Sequence, residues 1–204
     1  MPNAWVKNRK REHYYRKAKK EKFRSRASYK LLQAVKKYGF IKPGYVVVDL
    51  GAAPGGWTQA ARKLVGDSGF VLAVDLKLIK PFDAPNVRTI IGDVAESQTI
   101  QNILEFLPRS ADVVVSDVSP NVSGVWELDH ARQIDLASQS LRIATSILRS
   151  GGNFFVKVFQ GNTLNKFVEE VKQHFSLVKL VKPKASRAKS AELYVLGRNF
   201  RKKP

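Results

Sequence analysis

The chain has 204 residues, 44% of them hydrophobic and 26% charged, which is enough for one sizeable α/β domain and too apolar for a disordered chain. Its lack of cysteine excludes disulfides and thiolate metal sites, and His13, His130 and His174 lack ligand spacing, so no metal is expected. No apolar run approaches a membrane span and the basic N-terminus has no signal-peptide core, so a cytoplasmic protein without membrane contact is expected.

The formal net charge of +19 is uneven. Residues 1–26 hold 11 Lys or Arg against Glu12 and Glu21, residues 179–204 hold nine against Glu192, and the stretch between is nearly neutral. Clustering of like charge at both ends points to a polyanion as partner. Trp5, Tyr14, Tyr15 and Phe23 interleave with the N-terminal charge, as stacking on bases requires, so RNA or DNA is the expected partner. Residues 1–24 are accordingly read as a basic arm, and 25–204 as the folded domain with a basic C-terminal end.

From Ser25 the spacing of Ala27, Leu31, Leu32 and Val35 predicts a helix, stopped by Gly39. Lys42-Pro43-Gly44 turns into a first strand, Tyr45 to Leu50, followed by a helix through Ala60, Ala61, Leu64 and Val65 to Gly66. Strands are predicted at Phe70–Asp75 and Val87–Ile91, a helix around Ile100 to Leu107, and a fourth strand at Asp112–Asp117. A long helix from Asp129 to Leu148 is closed by Gly151-Gly152 and leads to a fifth strand, Asn153 to Phe159. A helix from Leu164 to Phe175 and strands at Leu177–Val181 and Glu192–Leu196 complete the chain. This alternation predicts a Rossmann-like α/β fold, a mostly parallel seven-stranded sheet with helices on both faces. Ligands of such sheets sit beyond the carboxyl ends of the strands.

The first strand runs into Asp49-Leu50-Gly51-Ala52-Ala53-Pro54-Gly55-Gly56-Trp57. Its G-x-x-x-G-G spacing differs from the G-x-G-x-x-G that seats a dinucleotide pyrophosphate, and suits a nucleoside cofactor without phosphate, S-adenosylmethionine above all. Gly51, Gly55 and Gly56 let the backbone pass close beneath such a ligand. Asp49, Asp75, Asp93 and Asp117 each stand at a strand end; Asp75 is placed to accept from ribose hydroxyls and Asp93 from an adenine amino group. Trp57 is either core or a wall of the cofactor pocket. Lys157 interrupts the apolar run Phe154 to Phe159, where a lysine must snorkel or meet a partner, and desolvation would turn its amine into a base.

Five blocks in order resemble those of one family: Ser25-Arg26-Ala27-Ser28-Tyr29-Lys30-Leu31, the stretch from Val48 to Trp57, Ser116-Asp117-Val118-Ser119-Pro120-Asn121, Val156-Lys157-Val158-Phe159-Gln160-Gly161, and Ser186 to Glu192. The chain resembles the FtsJ/RrmJ family of S-adenosylmethionine-dependent RNA ribose 2′-O-methyltransferases from about Ser25 to Arg198. The resemblance implies a catalytic Lys-Asp-Lys-Glu tetrad at Lys30, Asp117, Lys157 and Glu192, and cofactor contacts from Gly55, Trp57, Asp75, Asp93 and Asp117. Val118-Ser119 replaces the family's usual Met-Ala, a small departure beside the catalytic aspartate. Lys157 is expected to take the ribose proton. Lys30 would lower its proton affinity, Asp117 would raise it and orient it, and Glu192 would position the ribose or Lys30. The short chain looks most like the enzyme of a large-subunit ribosomal RNA uridine, acting as a monomer. A tRNA anticodon-loop methyltransferase, or a ribosome-assembly factor whose methyl transfer is secondary, is the alternative.

Overall fold

The computed structural model describes residues 13–186 and 190–202. The apolar runs form seven strands of one sheet in the order β3-β2-β1-β4-β5-β7-β6. They are β1 Val46–Leu50, β2 Phe70–Asp75, β3 Val87–Ile91, β4 Ala111–Ser116, β5 Leu148–Phe159, β6 Phe175–Val181 and β7 Glu192–Phe200. Strands β1 to β5 are parallel, and β7 lies between β5 and β6, antiparallel to both. Residues 13–20 are helical (α1). The other helices are α2 Ser28–Tyr38, α3 Gly56–Val65, α4 Gln98–Phe106, α5 Trp126–Ile147 and α6 Leu164–His174. No helix of the described residues is long and apolar enough to cross a membrane.

Strand periodicity of two splits the core into two layers. Val46, Val48, Leu50, Phe154, Val156 and Val195 pack with Ile103, Leu141, Ile143 and Phe167 of α4 to α6. Val47, Phe155, Tyr194 and Leu196 pack on the other face with Leu31, Val35, Ala60 and Ala61 of α2 and α3. The strands are therefore buried on both faces, as a parallel sheet covered by helices must be. α2 stops where expected, with Gly39 left-handed at φ 63° and its N–H on the Val35 carbonyl.

β6 starts two residues earlier than expected, at Phe175, and β7 runs four further, to Phe200; two other boundaries differ for a visible local reason. α5 begins at Trp126, not Asp129, because the Asp129 carboxylate reaches back to the Ser123 and Gly124 N–H groups instead of opening the helix. Gly151-Gly152 does not close α5: the helix passes straight into β5, where Leu148 pairs with Ala111 and the next pair is Val113 with Asn153. The surplus residues form a ladder irregularity, with Gly151 at φ 77° taking the left-handed turn.

Candidate active site

Register brings the site together before any side chain is considered. Leu50, Ser116, Val156 and Val195 are successive ladder partners across β1, β4, β5 and β7. One residue nearer the rim come Gly51, Asp117 and Lys157, each the next in sequence, and Tyr194, the residue before Val195 in the reversed β7, with Lys157 directly opposite Tyr194. Leu50 also pairs with Val74, which puts Asp75 next to Gly51. Because β7 is antiparallel, its first residue, Glu192, lands opposite Phe159 on the rim where the parallel strands end. α2 covers the same face and carries Lys30.

The four tetrad residues of the resemblance, drawn from four separate segments, form two ion pairs. Lys30 Nζ lies 2.6 Å from Glu192 Oε1. Lys157 Nζ donates to the Asp117 carbonyl at 2.8 Å and lies 3.3 Å from its Oδ1. Lys30 thus faces a carboxylate, so its charge is matched locally and not directed at Lys157 alone. Burial by itself would raise the Glu192 carboxyl, but the Lys30 ammonium, aided by Lys157 and the Ser186 hydroxyl at 3.1 Å, holds it below the ordinary range.

Tyr194 joins the pairs and was missed in the sequence. Its hydroxyl lies 2.9 Å from Asp117 Oδ1 and 3.1 Å from Glu192 Oε1, so its one proton serves either carboxylate. The ring is fully buried and stacks on Phe155. Burial, then the two carboxylates, push the phenol well above its usual pKa, which keeps it a donor. The available signal was spacing: two residues after Glu192 in a strand is the same face.

The other half of the rim suits a nucleoside. Gly51 (φ 72°) and Gly55 (φ 107°) shape the turn after β1. Their freedom is needed by protein packing as much as by a ligand: a Cβ at Gly51 would sit 2.7 Å from Val118, and one at Gly55 2.6 Å from Phe82. Gly56 is likewise pressed against Ser25, in the segment leading into α2, and Ser28, its first residue. Asp75 accepts from the Ala53 N–H through Oδ2 (2.9 Å) and from the Lys77 N–H through Oδ1 (2.8 Å), which fixes its carboxylate beside the turn. Asp93 accepts from the Ala95 N–H at 2.9 Å. The Trp57 side chain is core: it is 3% exposed, donates to the Ala27 carbonyl at 2.8 Å, and stacks on Phe155. A cofactor contact at this position falls to its main chain.

Three observations match S-adenosylmethionine to this rim. Asp49 is buried with Oδ2 on the Thr58 hydroxyl (2.7 Å) and Oδ1 without a protein partner, a polar atom left open beneath the turn. Leu76, the residue after β2, and Ile91, the last of β3, are exposed beside Asp75 and Asp93, where a purine would cover them. Arg24, a cation lying against the glycine turn, is engaged by the protein itself and not presented to a phosphate. Its guanidinium donates to the Lys80, Pro81 and Pro54 carbonyls at 2.5, 2.6 and 3.3 Å and stacks on Phe82.

Comparison with known proteins agrees with this chemistry. The family profile described as FtsJ-like methyltransferase matches residues 23–200. A protein of Methanocaldococcus jannaschii named ribosomal RNA large subunit methyltransferase E is 50% identical over 199 residues, covering 96% of this chain and 81% of its own. The protein of the same name from Methanothermobacter thermautotrophicus is 49% identical over 203 residues, covering all of this chain and 96% of its own. A crystal structure described as a ribosomal RNA methyltransferase of Plasmodium falciparum superposes with a TM-score of 0.77 at 27% identity, over 87% of this chain and 98% of that one. Aeropyrum pernix fibrillarin, crystallised with natively bound S-adenosyl-L-methionine, superposes at 0.59 and 15% identity over 85% of this chain and 74% of its own, a likeness of fold alone. The chain belongs to the FtsJ-like methyltransferase family, with S-adenosylmethionine as its methyl donor.

Proposed function

We propose that the protein methylates a ribose 2′-hydroxyl of large-subunit ribosomal RNA. The observation that carries this reading is the convergence of Lys30, Asp117, Lys157 and Glu192 on one rim as two ion pairs beside the glycine turn. The archaeal relatives at about half identity, named for large-subunit ribosomal RNA, support the choice of RNA.

When bound, S-adenosylmethionine supplies a methyl group already activated by its sulfonium. What remains for the protein is to align the hydroxyl and take its proton. Once the Lys157 ammonium has released a proton to solvent, its amine lone pair accepts the ribose proton as the oxygen bonds to the methyl carbon, leaving a ribose methyl ether and a neutral thioether. The two oxygens of Asp117 fix the direction of the amine. The Lys30–Glu192 pair, braced by Tyr194 and Ser186, is placed to hold the ribose. With an activated donor, alignment supplies a large part of the acceleration. Asp75 and Asp93 hold the ribose and adenine of the donor, and the main chain of Gly51, Gly55, Gly56 and Trp57 lines its turn. The same reading takes the protein as a cytoplasmic monomer, with light scattering after gel filtration as the check on oligomeric state.

The test is single-turnover transfer of a labelled methyl group to an unmodified large-subunit ribosomal RNA transcript, followed by nuclease digestion and mass spectrometry. A 2′-O-methylated nucleotide at one position is expected. Label found on a base, or transferred only to tRNA, would refute the proposal.

A further inference from the structure

The loop between Asp117 and α5 leaves apolar side chains in solvent next to the tetrad. Val122 is 71% exposed, Val125 55%, and Trp126, the first residue of α5, 46%. An indole is a large apolar surface to leave uncovered, and it is the side chain best suited to stacking on a flat ring.

This indole is held rigidly. Asp129 accepts from the Ser123 N–H and hydroxyl, both at 2.7 Å, and from the Gly124 N–H at 3.1 Å, tying the loop to the first turn of α5. Trp126 stacks on Phe159, with ring centroids 5.9 Å apart and planes at 23°, and on His130 at 6.2 Å and 24°. His130 is buried, and its Nε2 contacts the Thr163 hydroxyl at 2.7 Å and accepts from the Thr163 N–H at 3.3 Å. Gly161 lies so close to the His130 ring that a Cβ there would be 2.5 Å away. The support beneath the indole is therefore packed and hydrogen-bonded on both sides of β5's end.

Its position matters as much as its rigidity. Phe159 is the last residue of β5, two beyond Lys157, and pairs across the ladder with Glu192. Trp126 thus stands one aromatic side chain from the tetrad, on the rim where the ribose must lie.

We propose that Trp126 stacks on a base of the RNA at the methylation site and so fixes how far the ribose enters toward Lys157. The proposal rests on the RNA methyl-transfer reading above. The occupant is a nucleobase because every nucleotide offers a π face, and a chain of net charge +19 draws in a polyanion. A 2′-hydroxyl aimed at one amine also needs its nucleoside held at a second point.

The test uses the full chain, the labelled methyl donor and an unmodified large-subunit ribosomal RNA transcript, with RNA concentration varied. Trp126→Ala should raise the half-saturating RNA concentration by roughly tenfold to a hundredfold, while Trp126→Phe, which keeps a stacking face, recovers most of the loss. Donor affinity by calorimetry should stay near wild type in both, reporting an intact fold. In parallel, transcripts containing 5-iodouridine and 5-iodocytidine, irradiated with the wild-type protein, should crosslink to the peptide that contains Trp126. If Trp126→Ala loses donor affinity, the crosslink alone decides. Unchanged half-saturation, crosslinks confined to other peptides, or a defect seen only on assembled subunits and not on naked RNA overturns the stacking role. In each of those outcomes wild-type transfer still upholds the methyl-transfer reading, whereas a wild type that methylates no transcript overturns both.

Discussion

Lys157 is held by two oxygens of one residue, the Asp117 carbonyl and carboxylate, within the run Phe154–Phe159, whose other side chains are all apolar. If it takes the ribose proton, Lys157→Ala should lower the single-turnover rate by roughly 10²- to 10⁴-fold, with donor and RNA affinity near wild type. Lys157→Arg should not rescue it, since a guanidinium keeps its proton in proteins. An arginine variant with a substantial fraction of the wild-type rate would leave Lys157 as a positioning cation. Asp49 supplies a different readout. Its burial, with the Asp117 and Asp75 carboxylates adding to it and the Thr58 hydroxyl opposing it, pushes the carboxyl up to about 8. The folded protein then keeps a proton that an unfolded aspartate, with a pKa near ~3.9, has already lost. Between those two values the native state binds more protons, so stability falls as pH rises, by up to about 1.4 kcal/mol per pH unit. Above the folded value it levels off. Asp49→Asn should flatten that decline in urea unfolding of the ligand-free protein across the range from about pH 5 to 8. The same slope in the variant would mean the carboxylate is charged in the folded state.

Among the elements, the segment entering α2 does more than deliver Lys30. The Arg24 N–H donates to Gln59 Oε1 at 2.6 Å, Gln59 Nε2 returns a bond to the Lys22 carbonyl, and the Arg24 guanidinium holds the carbonyls of residues 54, 80 and 81. It thus ties α3, the glycine turn and the loop after Asp75 into one unit. Arg24→Ala should weaken S-adenosylmethionine binding on the order of tenfold, about 1.4 kcal/mol, by loosening that loop. Arg24→Lys should fail to restore it, because one ammonium cannot reach the carbonyls in a planar fork. Calorimetry giving wild-type affinity for both variants would make the staple irrelevant to the cofactor. The glycine turn itself was legible as a turn, but not the reason for its glycines. Val118 and Phe82, 67 and 27 residues from the glycines they press on, come from other loops.

At the scale of the molecule, the described parts of the two basic ends meet. Ala18 of α1 packs with Tyr29 and Ala185, flanked by Tyr14 and Phe23. Gln33 bridges the two ends, donating to the Tyr14 hydroxyl at 2.8 Å and accepting from the Ala185 N–H at 2.9 Å. Tyr14 and Phe23 are therefore packing residues, while Tyr15 stays exposed with Lys19 over its ring; Trp5 lies outside the described residues. Lys19, Lys20 and Lys184 are all exposed around this junction, beside the helix that carries Lys30. Replacing the three with Gln should lower the slope of log affinity against log salt by ~0.7 to 0.9 for each phosphate contact removed, with donor affinity unchanged. Fluorescence anisotropy over a salt series reads this directly; an unaltered slope would separate the basic ends from the RNA path.

The sequence alone determined which runs become the seven strands and which become α2 to α6, though not all their ends, because burial on both faces demands continuous β-branched and aromatic runs and a covering helix demands its own period. The resemblance carried by its ordered blocks also singled out Lys30, Asp117, Lys157 and Glu192 as candidates, since those blocks survive as strings. Which lysine meets which acid was decided only by the tertiary structure. That choice depends on β7 entering antiparallel between β5 and β6, a register set by packing between segments dozens of residues apart. The same long-range packing places Tyr194 between the two carboxylates, sends the Trp57 indole into the core, and runs α5 into β5 without a glycine stop. Local periodicity reports whether a side chain is buried; it carries no information about the partner it is buried against.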